Sequence, residues 1–123
     1  MGWDFETDRP IYIQIMEKIQ LLILAGVYPV GAKLPSVRDL AQQAAVNPNT
    51  MQRALAQLEE EGLVITQRTS GRFVTENEEK IIQARRRLAR DQVTQLLVKM
   101  RELGLGKEQI LEIINEIAEE MKI

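Results

Sequence analysis

Asn49, Thr50, Gln52 and Arg53 crowd into five positions, and Arg68 and Arg72 flank Ser70-Gly71 a short distance on. Amides, hydroxyls and guanidinium groups in such density suit hydrogen bonding to phosphates and base edges. Acid–base or nucleophilic chemistry has far less to work with. The chain contains no histidine and no cysteine, which removes the commonest general base, the thiolate nucleophile and the softer metal ligands. Carboxylates remain, yet they fall in runs such as Glu59-Glu60-Glu61 and the Glu76–Glu79 stretch, a pattern of solvated helix faces. The expectation is a binding protein: not an enzyme, with no cofactor and no metal site.

Those polar residues need elements to present them. Ile15, Ile19, Leu22 and Ile23 recur at helical spacing, so a first helix is predicted from Ile11 to Ala25, entered through Asp8-Arg9-Pro10 and ended by Gly26. Val27 to Leu34, with Pro29 and Gly31, reads as a turn or short extended connection. Ser36 followed by Asp39 is the signature of a capped start, and Val37, Leu40, Ala41 and Ala44 give the second helix one apolar face. A third helix opens on Asn47-Pro48, a preferred cap followed by a residue suited to the first helical position. Its apolar stripe is Met51, Ala54, Leu55 and Leu58, and Gly62 closes it. Asn49, Thr50, Gln52 and Arg53 therefore point away from the core.

Leu63–Thr66 and Phe73–Thr75 then read as two short strands joined by the polar loop Gln67–Arg72. Two short helices, a tight turn and a hairpin make a winged helix-turn-helix, whose second helix enters the major groove of DNA. The hairpin's arginines have the size and charge to reach a neighbouring groove or backbone. From Glu76 to Leu103 there is neither proline nor glycine, which predicts an amphipathic helix roughly 40 Å long. Gly104-Leu105-Gly106 breaks it, and a last helix follows from Lys107 to Met121. The fold class is mainly α with a small β-hairpin: a winged helix-turn-helix over residues 1–75 and a two-helix arm over 76–123.

The motifs carry a resemblance. Leu34-Pro35-Ser36-Val37-Arg38-Asp39-Leu40-Ala41, Val46-Asn47-Pro48-Asn49-Thr50-Met51-Gln52-Arg53-Ala54 and Leu58-Glu59-Glu60-Glu61-Gly62-Leu63 resemble the GntR family of bacterial regulators. Pro10-Ile11-Tyr12-Ile13-Gln14-Ile15 and Gly71-Arg72-Phe73-Val74 fit the same pattern, so the likeness runs from about residue 9 to 75 in order and spacing. It implies that Arg38 reads a base in the major groove, that Ser36, Thr50 and Arg53 hold phosphates or base edges, and that Gly71 lets the wing approach DNA. The wing departs from the commoner glycine-richer form, since Gln67-Arg68-Thr69-Ser70-Gly71 has a single glycine.

Most GntR relatives carry a large effector-binding domain, whereas a two-helix arm resembles the short YtrA-type subfamily, in which the hairpin of helices dimerises. The candidate dimer residues are Ile81, Leu88, Val93, Leu96, Leu97, Met100, Ile110, Ile113, Ile114 and Ile117. An isolated arm this apolar exposes more than a monomer tolerates, so a second copy should cover it. The resulting expectation is a homodimeric, sequence-specific repressor on a palindromic double-stranded operator, with an unknown small-molecule effector left open. A winged-helix protein-interaction adaptor is the alternative, favoured by the net charge of −2. Such an adaptor has no need of Arg38, Asn49, Thr50 and Arg53 on one face. The cluster Arg85-Arg86-Arg87 with Arg90 reads as a solvated helix face. With no apolar run long enough to span a bilayer and no signal-like N-terminus, no membrane contact is expected and the cytoplasm is the expected location.

Overall fold

The computed structural model describes residues 2–123. Seven elements follow in order: α1 Ile11–Leu24, α2 Val37–Ala44, α3 Pro48–Glu60, β1 Val64–Gln67, β2 Gly71–Val74, α4 Glu78–Glu102 and α5 Lys107–Glu120. The winged helix-turn-helix expected from the sequence is present, followed by two helices. The chain divides into two compact units, Met1–Ala84 and Arg85–Ile123.

In the first unit the predicted apolar stripes meet as one core. Ile15, Ile19 and Ile23 of α1, Leu40 of α2, and Met51, Leu55 and Leu58 of α3 are all buried. The entry to α1 is tied down by a buried amide. Gln14 donates to the carbonyls of Glu6 and Arg9, both at 2.9 Å, and accepts from the Glu6 N–H at 2.7 Å. Between α2 and α3, Ala45 takes a left-handed conformation with φ 59°, and the Val46 N–H closes back onto the Ala41 carbonyl at 3.0 Å. That closure satisfies a carbonyl at the helix end within the three residues, Ala45, Val46 and Asn47, that separate the two helices.

The wing is tighter than the sequence suggested. β1 and β2 pair antiparallel with Gln67 opposite Gly71, so the loop is Arg68-Thr69-Ser70 instead of the expected Gln67–Arg72. Gly71 makes this turn possible with φ +110°, a conformation an L side chain rarely adopts. The expected extended connection before α2 also joins the sheet. Lys33 bridges Phe73, the Leu34 N–H donates to the Arg72 carbonyl at 2.8 Å, and Val74 donates to Ala32 at 2.9 Å. The wing is thereby pinned to the residues that lead into α2.

The fourth helix starts two residues later than its composition implied. The Asn77 side chain accepts from the N–H groups of Glu79 and Lys80 at 3.1 and 3.4 Å, so Asn77 caps the helix and Glu76 stays outside it. The compact first unit also extends beyond the composition change at Thr75. Ile81 and Ala84 are 5% and 3% exposed, which places the first turns of α4 with that unit.

The second unit pairs the rest of α4 with α5. Gly104, at φ +87°, ends α4, and the Gly106 N–H donates to the Gln109 side chain at 3.0 Å as α5 begins. Ile110 is buried in this unit, whereas Val93, Leu97, Ile114 and Ile117 remain 37–50% exposed. They belong to an open apolar groove of about 770 Å³ or its surroundings, with Val93, Val98, Leu105 and Leu111 among the lining. Among the described residues no helix is long and apolar enough to cross a membrane.

Candidate nucleic-acid interface

The third helix is presented by its own cap. The Asn47 carboxamide oxygen accepts from the Asn49 N–H at 2.8 Å, and Pro48 occupies the first helical position. Burial of Met51, Ala54, Leu55 and Leu58 fixes the rotation of α3 about its axis. Asn49, Gln52 and Arg53 consequently lie exposed and Thr50 half-exposed, as the periodicity required. No side-chain hydrogen bond occupies Asn49, Thr50 or Gln52 among the described residues, so their donors and acceptors are available.

The start of α2 behaves in the same way. The Ser36 hydroxyl accepts from the Asp39 N–H at 3.1 Å, which is the predicted cap; its own proton is still free to donate. Arg38, in the first turn of α2, is exposed and has no side-chain ion pair among the described residues, despite its neighbour Asp39. Arg68 at the wing tip is likewise exposed and unpaired. A groove of about 480 Å³ separates the start of α2 from the wing, lined by Lys33, Ser36, Asp39, Ser70, Gly71 and Arg72. Four of the predicted residues, Ser36, Ser70, Gly71 and Arg72, are brought together there.

Two of the candidate site arginines are held in ways the sequence did not reveal. Arg72 donates through Nε to Glu59 at 2.7 Å, with only 18% of its side chain exposed. Thr66 also donates to the same carboxylate oxygen of Glu59. Part of the Arg72 charge is thus engaged in bracing the wing against α3. Burial pushes the Glu59 carboxyl up, but the Thr66 hydroxyl and Arg72 outweigh it and hold the group below its ordinary value. A lowered carboxylate contributes stability above its unfolded pKa, and that contribution is lost as pH falls through the folded value. Glu59→Gln should therefore lower stability by about 1 kcal/mol at neutral pH, since a charge-assisted bond on a partly exposed pair is being weakened. Urea unfolding from pH 7 to pH 3 checks this: the gap between variant and parent should close at the acid end. A constant gap would mean that the carboxylate charge is immaterial.

Arg53 is the second. Its guanidinium carbon lies 3.7 Å from the centroid of the Tyr12 ring, a stacked arrangement across α3 and α1. Lys33 is a further cation that the sequence reading passed over. It is exposed, and its side chain runs beside Gly71, where an added Cβ would meet Lys33 Cε at 3.2 Å. The bridge between Lys33 and Phe73 that puts it there is long-range, so no local pattern announces it.

Of the expected dimer residues, the structure leaves Val93, Leu96, Leu97, Ile114 and Ile117 exposed and Leu88, Met100 and Ile113 half-buried. Ile81 and Ile110 are instead covered within the chain itself, Ile81 in the first unit and Ile110 in the second, so neither offers a face to a partner. Val98 and Leu111, not singled out before, line the apolar groove.

A capped, solvent-facing third helix beside a basic hairpin defines a DNA-binding winged helix. Residues 11–74 match the family described as bacterial regulatory proteins, gntR family. The chain belongs to the GntR family of transcription regulators. It is 39% identical to the uncharacterized HTH-type transcriptional regulator YhcF of Bacillus subtilis (strain 168), over 97% of this chain and 98% of that protein. It is 35% identical to the HTH-type transcriptional repressor YtrA of the same organism, over 97% of this chain and 92% of that one. Among solved structures, a GntR family transcriptional regulator from Listeria monocytogenes superposes with a TM-score of 0.86 at 38% identity, covering 91% of this chain and 98% of that chain. The AraR DNA-binding domain in complex with operator ORX1 superposes with a TM-score of 0.54 at 31% identity, covering 61% of this chain and 90% of that chain.

Proposed function

We propose that this protein is a repressor that binds a palindromic operator as a homodimer, its α3 helices lying in successive major grooves. One observation carries the reading: Arg38, Asn49 and Gln52, exposed, and Thr50, half-exposed, stand on the ends of two capped helices with their side chains unengaged. A protein-interaction surface of this size would ordinarily contain aromatic or aliphatic anchors. Here the accessible groups are amides, hydroxyls and guanidinium, which match the major-groove edges of bases. Arg38 is the base-reading residue, Ser36 and Thr50 bind phosphates, and Lys33 and Arg68 supply the positive charge that draws the wing to the backbone. The net charge of −2 does not oppose this, because screening at physiological salt confines fields to about 8–10 Å.

Dimerisation is the role of the arm. Two copies covering the apolar groove of the second unit would remove the exposed faces of Val93, Leu97, Ile114 and Ile117 from water, and burying the 37–50% of each that is still exposed is worth on the order of 1 kcal/mol per side chain. Occupying a promoter in this form blocks polymerase, which is the simplest route to repression, and the relative YtrA is named a repressor. Selection of bound duplexes from a randomised library, at two salt concentrations, tests the whole reading. A two-fold symmetric motif whose recovery weakens with salt is the expected result. A single unsymmetric half-site would remove the dimer, and no motif at either salt would return the adaptor alternative.

A further inference from the structure

We infer that Tyr12 is a positioning residue for DNA recognition: its ring is a platform that holds the Arg53 guanidinium flat while leaving the N–H fork free for the nucleic acid. The inference rests on the DNA reading above and adds to it a residue from outside the helix-turn-helix.

Two candidate DNA-binding arginines, Arg72 and Arg53, make the point by contrast. Arg72 is held by the Glu59 carboxylate, a contact that takes up a donor and offsets the charge. Arg53 is held by a ring face, with its guanidinium carbon 3.7 Å from the centroid. The attraction there is between the cation and the ring quadrupole, so charge is retained and no donor is spent on a hydrogen bond. Among the described residues Arg53 makes no hydrogen bond or ion pair, and it is exposed. A free arginine on a helix surface samples many rotamers and loses that freedom when it binds. Stacking removes much of the loss beforehand, which is the general gain of preorganisation.

The platform itself is well supported. Tyr12 is in the first turn of α1, half-buried, and α1 packs on α3 along the buried Ile15 and Ile19. Within one turn of α3 the neighbours of Arg53 are Asn49, Thr50, Ala56 and Gln57, none of them a carboxylate. The ring therefore sets where the guanidinium stands relative to the DNA-facing end of α3.

The test uses the 123-residue chain and the duplex that emerges from library selection. Tyr12→Phe and Tyr12→Trp keep a ring face and should keep near-parental affinity. Tyr12→Leu should weaken binding about two- to five-fold, the size of an exposed cation–π contact, with the salt dependence unchanged because the cation remains. Arg53→Ala should weaken binding further and lower the salt slope by about one contact. In the Arg53→Ala background, Tyr12→Leu should add nothing. Losses that add in the double variant would overturn the platform, as would a Tyr12→Phe variant as weak as Tyr12→Leu, which would assign the role to the hydroxyl. Ring-current shifts of the Arg53 side-chain protons keep the matter decidable if Tyr12→Leu folds poorly. Upfield signals are expected in the parent and in Tyr12→Phe, and their absence from the parent would also overturn the proposal. A parent that selects no duplex, with those shifts present, would remove the DNA reading and this role with it while leaving the stacking itself intact.

Discussion

Leu97→Glu is expected to convert the protein to a monomer and to weaken operator binding by about 100- to 10,000-fold, the range by which linked recognition modules exceed single ones. Leu97 is 39% exposed in the single chain and lines the apolar groove of the second unit. In a dimer it would be buried, and a carboxylate there would have to shed its hydration without a partner, which costs several kcal/mol. The same substitution should barely disturb the isolated chain, because an exposed position in a helix accepts glutamate well. Gln95→Glu supplies the control: it adds the same charge to the same helix at an exposed site that does not line the groove. Sedimentation equilibrium gives the assembly state and titration of a labelled operator gives the affinity. A Leu97→Glu protein that is still dimeric would show that the partner copy sits elsewhere, and a monomeric one with unchanged affinity would show that one half-site is enough.

The second large effect belongs to Arg38→Ala. A loss of about 1–3 kcal/mol is expected, confined to one base pair in each half-site, as befits a bidentate contact to a base edge. The fold should be indifferent, since Arg38 is exposed and without an ion pair among the described residues, and the Ser36 cap of α2 does not depend on it. Arg38→Lys should recover little, because a single ammonium cannot reproduce the planar fork. Arg68→Ala should differ in kind, weakening all sequences alike and reducing the salt dependence, as loss of a phosphate contact does. Competition assays with operators changed one base pair at a time separate these outcomes. Uniform weakening by Arg38→Ala would move Arg38 from base reading to backbone contact.

The two predictions divide along the chain. One concerns how copies are held together, through an apolar surface; the other concerns how each copy reads DNA, through polar groups on capped helices. Their independence is itself expected, because Leu97 and Arg38 lie in separate compact units. Arg38→Ala should leave assembly unchanged, while Leu97→Glu should leave base preference unchanged within whatever affinity survives.

What the sequence determined by itself was the part governed by neighbours within about four residues. Ser36 with Asp39, Asn47 with Pro48, and the stripe Met51, Ala54, Leu55 and Leu58 fixed two helix starts and the outward face of α3, since caps and helical periodicity act over one turn. The exposure of Asn49, Gln52 and Arg53 followed from that alone. Asn77 was equally local, but it sits in a glutamate-rich run that reads as continuous helix, so its cap was hidden by composition. The tertiary structure decided everything that joins distant positions: Lys33 bridging to Phe73, Arg72 held by Glu59, Arg53 stacked on Tyr12, and Ile81 covered within the first unit. Each of these pairs residues that packing brings together across elements, and side-chain spacing along a single helix or strand contains no term for what lies opposite.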